Sequence, residues 1–157
     1  MRDSQRHPVS VVSIFYFLIP LTLWAASFFS GILLFDELPQ NIPAHFNFYG
    51  EVDRWVPKSV EQLRTLPRLQ ILALIAAAAI YWAVSTSRQI PEKLRYSWSA
   101  FVIAGGTVIT IVLTIAQAAV LQLLSRPGPF FWMGLALLII FMIWGVALAV
   151  SSARGRD

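Results

Sequence analysis

His45, Asn47, Asp53 and Lys58 are the side chains whose types and spacing offer chemistry, and they fall within one stretch of a 157-residue chain that has no cysteine. An imidazole beside a carboxylate binds a polar ligand or contributes to a metal site. Glu51 is near enough in sequence to join them. The structural alternative is that His45 and Asp53 bond to each other or to the loop backbone and hold it shut, and this reading is preferred because short loops need their polar groups paired. His7 is separated from this stretch by the first apolar run and does not complete a metal site. Lys58 pairs with Asp53 or sits among lipid headgroups, the second being the commoner role. No cofactor, metal or catalytic residue is expected.

The stretch containing them has the composition of an ordered segment. Pro39 and Pro43 fix φ and disfavour helix in the preceding residues, so 42–48 reads as extended. Within it Ile42, Ala44, Phe46 and Phe48 alternate with Pro43, His45 and Asn47. Tyr49-Gly50-Glu51 supplies a turn, and 52–56 returns as a second strand. A three-residue turn of that kind puts Phe48 opposite Val52, Asn47 opposite Asp53 and His45 opposite Trp55. His45, Asn47, Asp53 and Trp55 then share a face, while a four-residue turn would move Asp53 to the other one.

What positions this hairpin is a set of apolar runs. Hydrophobic residues make up 57% of the chain and charged ones 13%, against about a quarter charged in soluble domains, and the mean hydropathy is +0.67. The expected fold is an all-α integral membrane protein in one domain, 1–157. Its four transmembrane helices lie at about 11–35, 66–87, 98–124 and 130–151, with an ordered, hairpin-like outer loop at about 36–58 between the first two. Arg2 and Arg6 before the first run and the small Ala25, Ala26 and Ser27 resemble a signal peptide, but the apolar run continues through Leu33 and favours a retained helix. Val60, Leu63 and Leu66 lie on one helical face and Glu61, Arg64 and Arg68 on another, describing an interfacial entry to the second span. Ser59 and Gln62 have capping-box spacing there, and Pro67 either kinks one long helix or breaks it. Arg126 to Pro129 forms the turn before the fourth span. Gly105, Gly106, Gly134 and Gly145 let helices approach closely.

Arg2, Arg6, Arg88, Lys93, Arg95, Arg154 and Arg156 lie on one side, against Arg54, Lys58, Arg64, Arg68 and Arg126 on the other. That bias favours a cell-membrane protein with both termini cytoplasmic. The net charge of +4 is explained by topology and headgroup contact without nucleic acid, since no recognition module accompanies it. Trp98 and Trp132 near span starts have the character of interfacial anchors.

The run Leu38-Pro39, Ile42-Pro43, His45-Phe46, Gly50, Asp53 and Lys58 after a first membrane helix resembles the uncharacterised bacterial membrane domain at the N-terminal end of SdpI-type immunity proteins. The resemblance covers the first span, the loop and the start of the second span. It implies an outer loop concerned with protection against a secreted toxin and with relaying its presence, with the expectation that the multi-helix module following in that family is not part of this protein.

The spans hold no acid, base or histidine between their interfacial ends, which argues against an enzyme and against a proton-coupled carrier. The expected function is that of a binding or regulatory membrane protein whose outer loop recognises a peptide, an envelope component or a partner protein, immunity-like in character. The alternative is a small transporter or channel subunit whose path forms in a homo-oligomer. That path would be lined by Thr107, Thr110, Thr114 and Gln117, which otherwise read as a helix-packing face.

Overall fold

The computed structural model describes residues 11–124 and 127–154, with side chains from 17 onward except those of 93 and 152–154. The expected positions of Arg2, Arg6, His7, Arg126 and Arg156 lie outside the described residues. In chain order the elements are α1 (Val11–Leu33), β1 (Asn41–Phe46), β2 (Val52–Pro57), α2 (Val60–Thr86), α3 (Glu92–Val120) and α4 (Gly128–Arg154). Val60–Thr86, Leu94–Val120 and Gly128–Ser151 are each long and apolar enough to cross a bilayer, and the apolar stretch Phe17–Leu33 of α1 is shorter. Leucine, isoleucine and tryptophan side chains stand exposed along these helices, as expected where the surrounding solvent is lipid.

α1, α2 and α3 pack against one another, while α4 lies against α3. Interlocking rings and glycines make the α3–α4 seam. A Cβ on Gly105 would press into the Phe141 ring, and one on Gly145 into the Phe101 ring. Phe101 and Phe141 stack at 4.3 Å between centroids. Backbone approach over a small residue is the usual source of packing energy where no hydrophobic effect acts between helices.

At four boundaries the structure refines or differs from the sequence reading. The second helix starts at Val60 and runs unbroken through Pro67, so the interfacial entry and the span are one element. Ser59 is its N-cap, accepting from the Gln62 N–H at 3.1 Å. α3 starts at Glu92, well before Trp98. It also stops at Val120, although apolar residues continue to Leu124. The stop is a left-handed cap: Gln122 has φ 56, its N–H bonds to Ala119 O at 3.0 Å, and the Leu123 N–H bonds to Ala118 O at 2.9 Å. Gly128 and Pro129, expected in the turn before the fourth span, instead open α4.

Pro67 has no N–H to give Leu63 O, the carbonyl one turn before it. Gln117 of α3 supplies the missing donor, its Nε2 reaching Leu63 O at 3.2 Å. Trp24 of α1 bonds through Nε1 to the Pro67 carbonyl at 3.0 Å. Side chains from both neighbouring helices therefore satisfy the backbone around one proline.

Candidate functional site

β1 and β2 form an antiparallel two-stranded sheet. The Asn47 N–H bonds to Glu51 O at 2.8 Å and the Gly50 N–H to Asn47 O at 2.9 Å, so Phe48, Tyr49 and Gly50 make the turn. Sequence reasoning placed it one residue later. Two local causes fix it here. Gly50 takes the left-handed φ of +79 that such a turn requires. Asn47 Oδ1 accepts the N–H groups of Tyr49 at 2.9 Å and Glu51 at 3.0 Å, a side-chain turn that asparagine forms readily.

The register follows. Phe46 pairs with Val52, Pro43 with Trp55 and Ile42 with Val56, with an irregularity that sets His45 against Arg54. The regular pairings lie two residues from the expected ones and His45–Arg54 lies one residue away. Pro43, expected on the His45 face, is buried, and Phe48, expected inward, is exposed. Partners change as well. Asn47 meets Glu51, its Nδ2 donating to Oε2 at 2.9 Å, and His45 meets Asp53, with Nδ1 and Oδ1 2.6 Å apart. A carboxylate only accepts, so the proton of this bond sits on Nδ1 and Nε2 is left for another group. The pair stands in the open, with side-chain exposures of 60% and 44%. Trp55 and Tyr49 of the hairpin are also exposed.

The opposite face holds the hairpin to the bundle. Ile42 is fully buried with Leu38, Leu63 and Leu121, and Val56 packs on that cluster. Phe46 lies 5.1 Å from the Phe131 ring and Phe48 4.4 Å from Trp132. A Cβ on Gly50 would overlap the Gly128 backbone at the start of α4. Below β1 is a cleft of about 310 Å³ with an apolar floor including Leu66, Ala116 and Phe131 and with His45 and Asn47 among its lining residues.

Lys58 does not pair with Asp53. Its Nζ donates to Phe35 O at 2.9 Å and Leu38 O at 2.7 Å and lies 5.0 Å from the centre of the Phe35 ring. A cation at these carbonyls complements the negative end of α1 and ties the base of β2 to it. Lys58 is thus a structural clasp, and the face is His45, Asn47, Glu51 and Asp53.

The polar positions within the bundle meet one another. Gln70 is 0% and Gln117 1% exposed. Gln70 Nε2 donates to Thr114 Oγ1 at 2.9 Å and approaches Ser27 Oγ at 3.2 Å and Thr110 O at 3.3 Å. Thr110 and Thr114 also bond back to their own helix, at Gly106 O and Thr110 O, each at 2.8 Å. Sequence reasoning read Gln70 only as an interruption of a short span. The signal that could have found its role is helical spacing, since Gln70 lies three residues after Pro67 and shares the buried side of the helix with Leu63, Pro67 and Leu74.

Residues 22–71 match the model of a family described as Domain of unknown function (DUF1648). The match begins in α1, takes in the whole hairpin and ends in α2, so this chain is similar to that family over the segment that builds the site. No curated protein matches the chain, and no solved structure does.

Proposed function

We propose that the chain is a four-span protein of the bacterial cell membrane, with both termini cytoplasmic, whose hairpin is an outward recognition surface for a peptide or partner protein. α1 has 23 residues, which at 1.5 Å per residue extend roughly 34 Å and suffice for a crossing. The excess of Lys and Arg at the other end of the bundle supports the orientation. The observation that carries the recognition role is the exposed His45–Asp53 pair on a hairpin otherwise anchored to three helices. A fixed scaffold presenting open donors, acceptors and aromatic rings binds at little ordering cost. Its similarity to the SdpI-type N-terminal domain, carried by Ile42-Pro43, His45-Phe46, Gly50 and Asp53, makes an immunity-like role the nearest reading.

The test is a photo-crosslinking residue at Trp55 in living cells, with the same residue at Tyr96 near the other end of α3 as the control. A discrete adduct from Trp55 that disappears in the His45→Ala, Asp53→Ala double variant is expected. Adducts that are equal at both positions, or indifferent to the double variant, overturn the recognition role.

A further inference from the structure

A second cleft, of about 220 Å³, lies between the ends of α1 and α2, lined by Phe28, Ile32, Phe35, Asp36, Val60 and Arg64 among others. Its walls are apolar and it carries two opposite charges. Arg64 lies with its guanidinium carbon 5.8 Å from the Phe28 ring centre, and its Nε is buried with no acceptor among the described residues. Arg68, one turn on, is different, because Glu61 takes both its terminal nitrogens. Lys58 is committed to the carbonyls at the end of α1. Asp36 stands exposed just beyond α1. Arg64 and Asp36 line one cleft, yet no ion pair joins them among the described residues.

We infer that this cleft is a binding site for a phospholipid with a phosphoethanolamine headgroup, its phosphate on Arg64, its ammonium toward Asp36 and an acyl chain along Phe28 and Ile32. Three features select this occupant. The cleft sits where α1 ends and α2 begins, at headgroup depth for either orientation of the chain. A guanidinium with a free N–H matches a phosphate oxygen by charge and by hydrogen-bond geometry. A carboxylate in the same cleft disfavours a purely anionic headgroup and favours one with a primary ammonium. The inference rests on the membrane location alone and is independent of what the hairpin recognises.

Native mass spectrometry of the full, delipidated chain in detergent, titrated separately with dioleoyl phosphatidylethanolamine and dioleoyl phosphatidylglycerol, tests it. The unaltered chain should bind the ethanolamine lipid several-fold more tightly. Arg64→Gln should weaken both lipids by roughly tenfold, the factor carried by one charge-assisted hydrogen bond. Asp36→Asn should erase the preference while leaving phosphatidylglycerol bound. Arg64→Lys should keep most of the binding, and Arg68→Gln should change nothing. Equal affinity of the two lipids for the unaltered chain overturns the inference, as does an Arg68→Gln effect as large as that of Arg64→Gln. A folding defect cannot imitate the loss of preference expected of Asp36→Asn, since it would lower both affinities without changing their ratio, and the binding kept by Arg64→Lys separates loss of the charge from misfolding.

Discussion

Gln117→Met separates the structural role of the buried amide from a generic polar contact. In the native chain the Gln117 Nε2 donor is 3.2 Å from Leu63 O, the carbonyl that Pro67 leaves without its helical partner. Leu63 is 3% exposed, so water does not substitute for that donor. Leaving a buried acceptor unpaired costs about 1–3 kcal/mol, and side-chain hydrogen bonds in membrane proteins reach about 1.7 kcal/mol at most. A loss of about 1–2 kcal/mol is therefore expected. In a Pro67→Ala background the residue at 67 has an N–H for Leu63 O, and Gln117→Met should cost nothing. It should even stabilise slightly, because Gln117 Oε1 is buried without a donor and its removal relieves that burial. Packing lost at position 67 appears in both arms of the cycle and cancels. Reversible unfolding in mixed detergent micelles, followed by circular dichroism, measures all four variants. Equal costs of Gln117→Met in the two backgrounds, within the roughly 0.5 kcal/mol of ordinary additivity, would refute the reasoning.

Further outcomes follow from the hairpin and its anchors. Lys58→Met removes two charge-assisted bonds to the end of α1 and should destabilise the hairpin by about 1–3 kcal/mol, read as faster proteolysis within 38–57. Gly50→Val combines a left-handed backbone, which costs a β-carbon about 1–2 kcal/mol, with overlap on Gly128, so folded yield should collapse. His45→Ala and Asp53→Ala should couple by about 0.2–1 kcal/mol, the range of exposed pairs; additive effects would deny them a shared interaction. Reporter fusions at Tyr49 and Asp157 should lie on opposite sides of the membrane, and a common side would sink the proposed topology.

Alternation along the hairpin was legible only in part. Ile42 is buried and His45 and Asp53 are exposed as expected. Pro43, expected beside His45, is buried and Phe48, expected inward, is exposed, because the strand is irregular at His45. Which residues touch was not legible, because the turn is placed by the Asn47 side chain taking the Tyr49 and Glu51 N–H groups. Glycine at 50 is compatible with both turn positions, so the sequence signal at Gly50 alone could not choose. Lys58 shows the same limit in another form. Its basic character near a span end suggests headgroups, and only the three-dimensional return of β2 to the end of α1 brings it onto two carbonyls.

The early end of α3 belongs to the same class of tertiary decisions. Apolar composition to Leu124 favours continuing the helix, and no glycine announces a cap. Stopping at Val120 turns Leu121 into the cluster with Leu38, Ile42 and Leu63, where it is 3% exposed. Burying a leucine is worth about 1.5–3 kcal/mol, while placing a non-glycine residue such as Gln122 in the left-handed region costs about 1–2 kcal/mol. The burial offsets the strain, and the hairpin gains part of its floor from a helix that ends before its hydrophobicity does. Removing that burial should reverse the balance: Leu121→Ser leaves the strain at Gln122 without its compensation and loosens β1, which amide exchange at Ile42 would register. Unchanged exchange at Ile42 would mean that the floor comes from Leu38 and Leu63 alone.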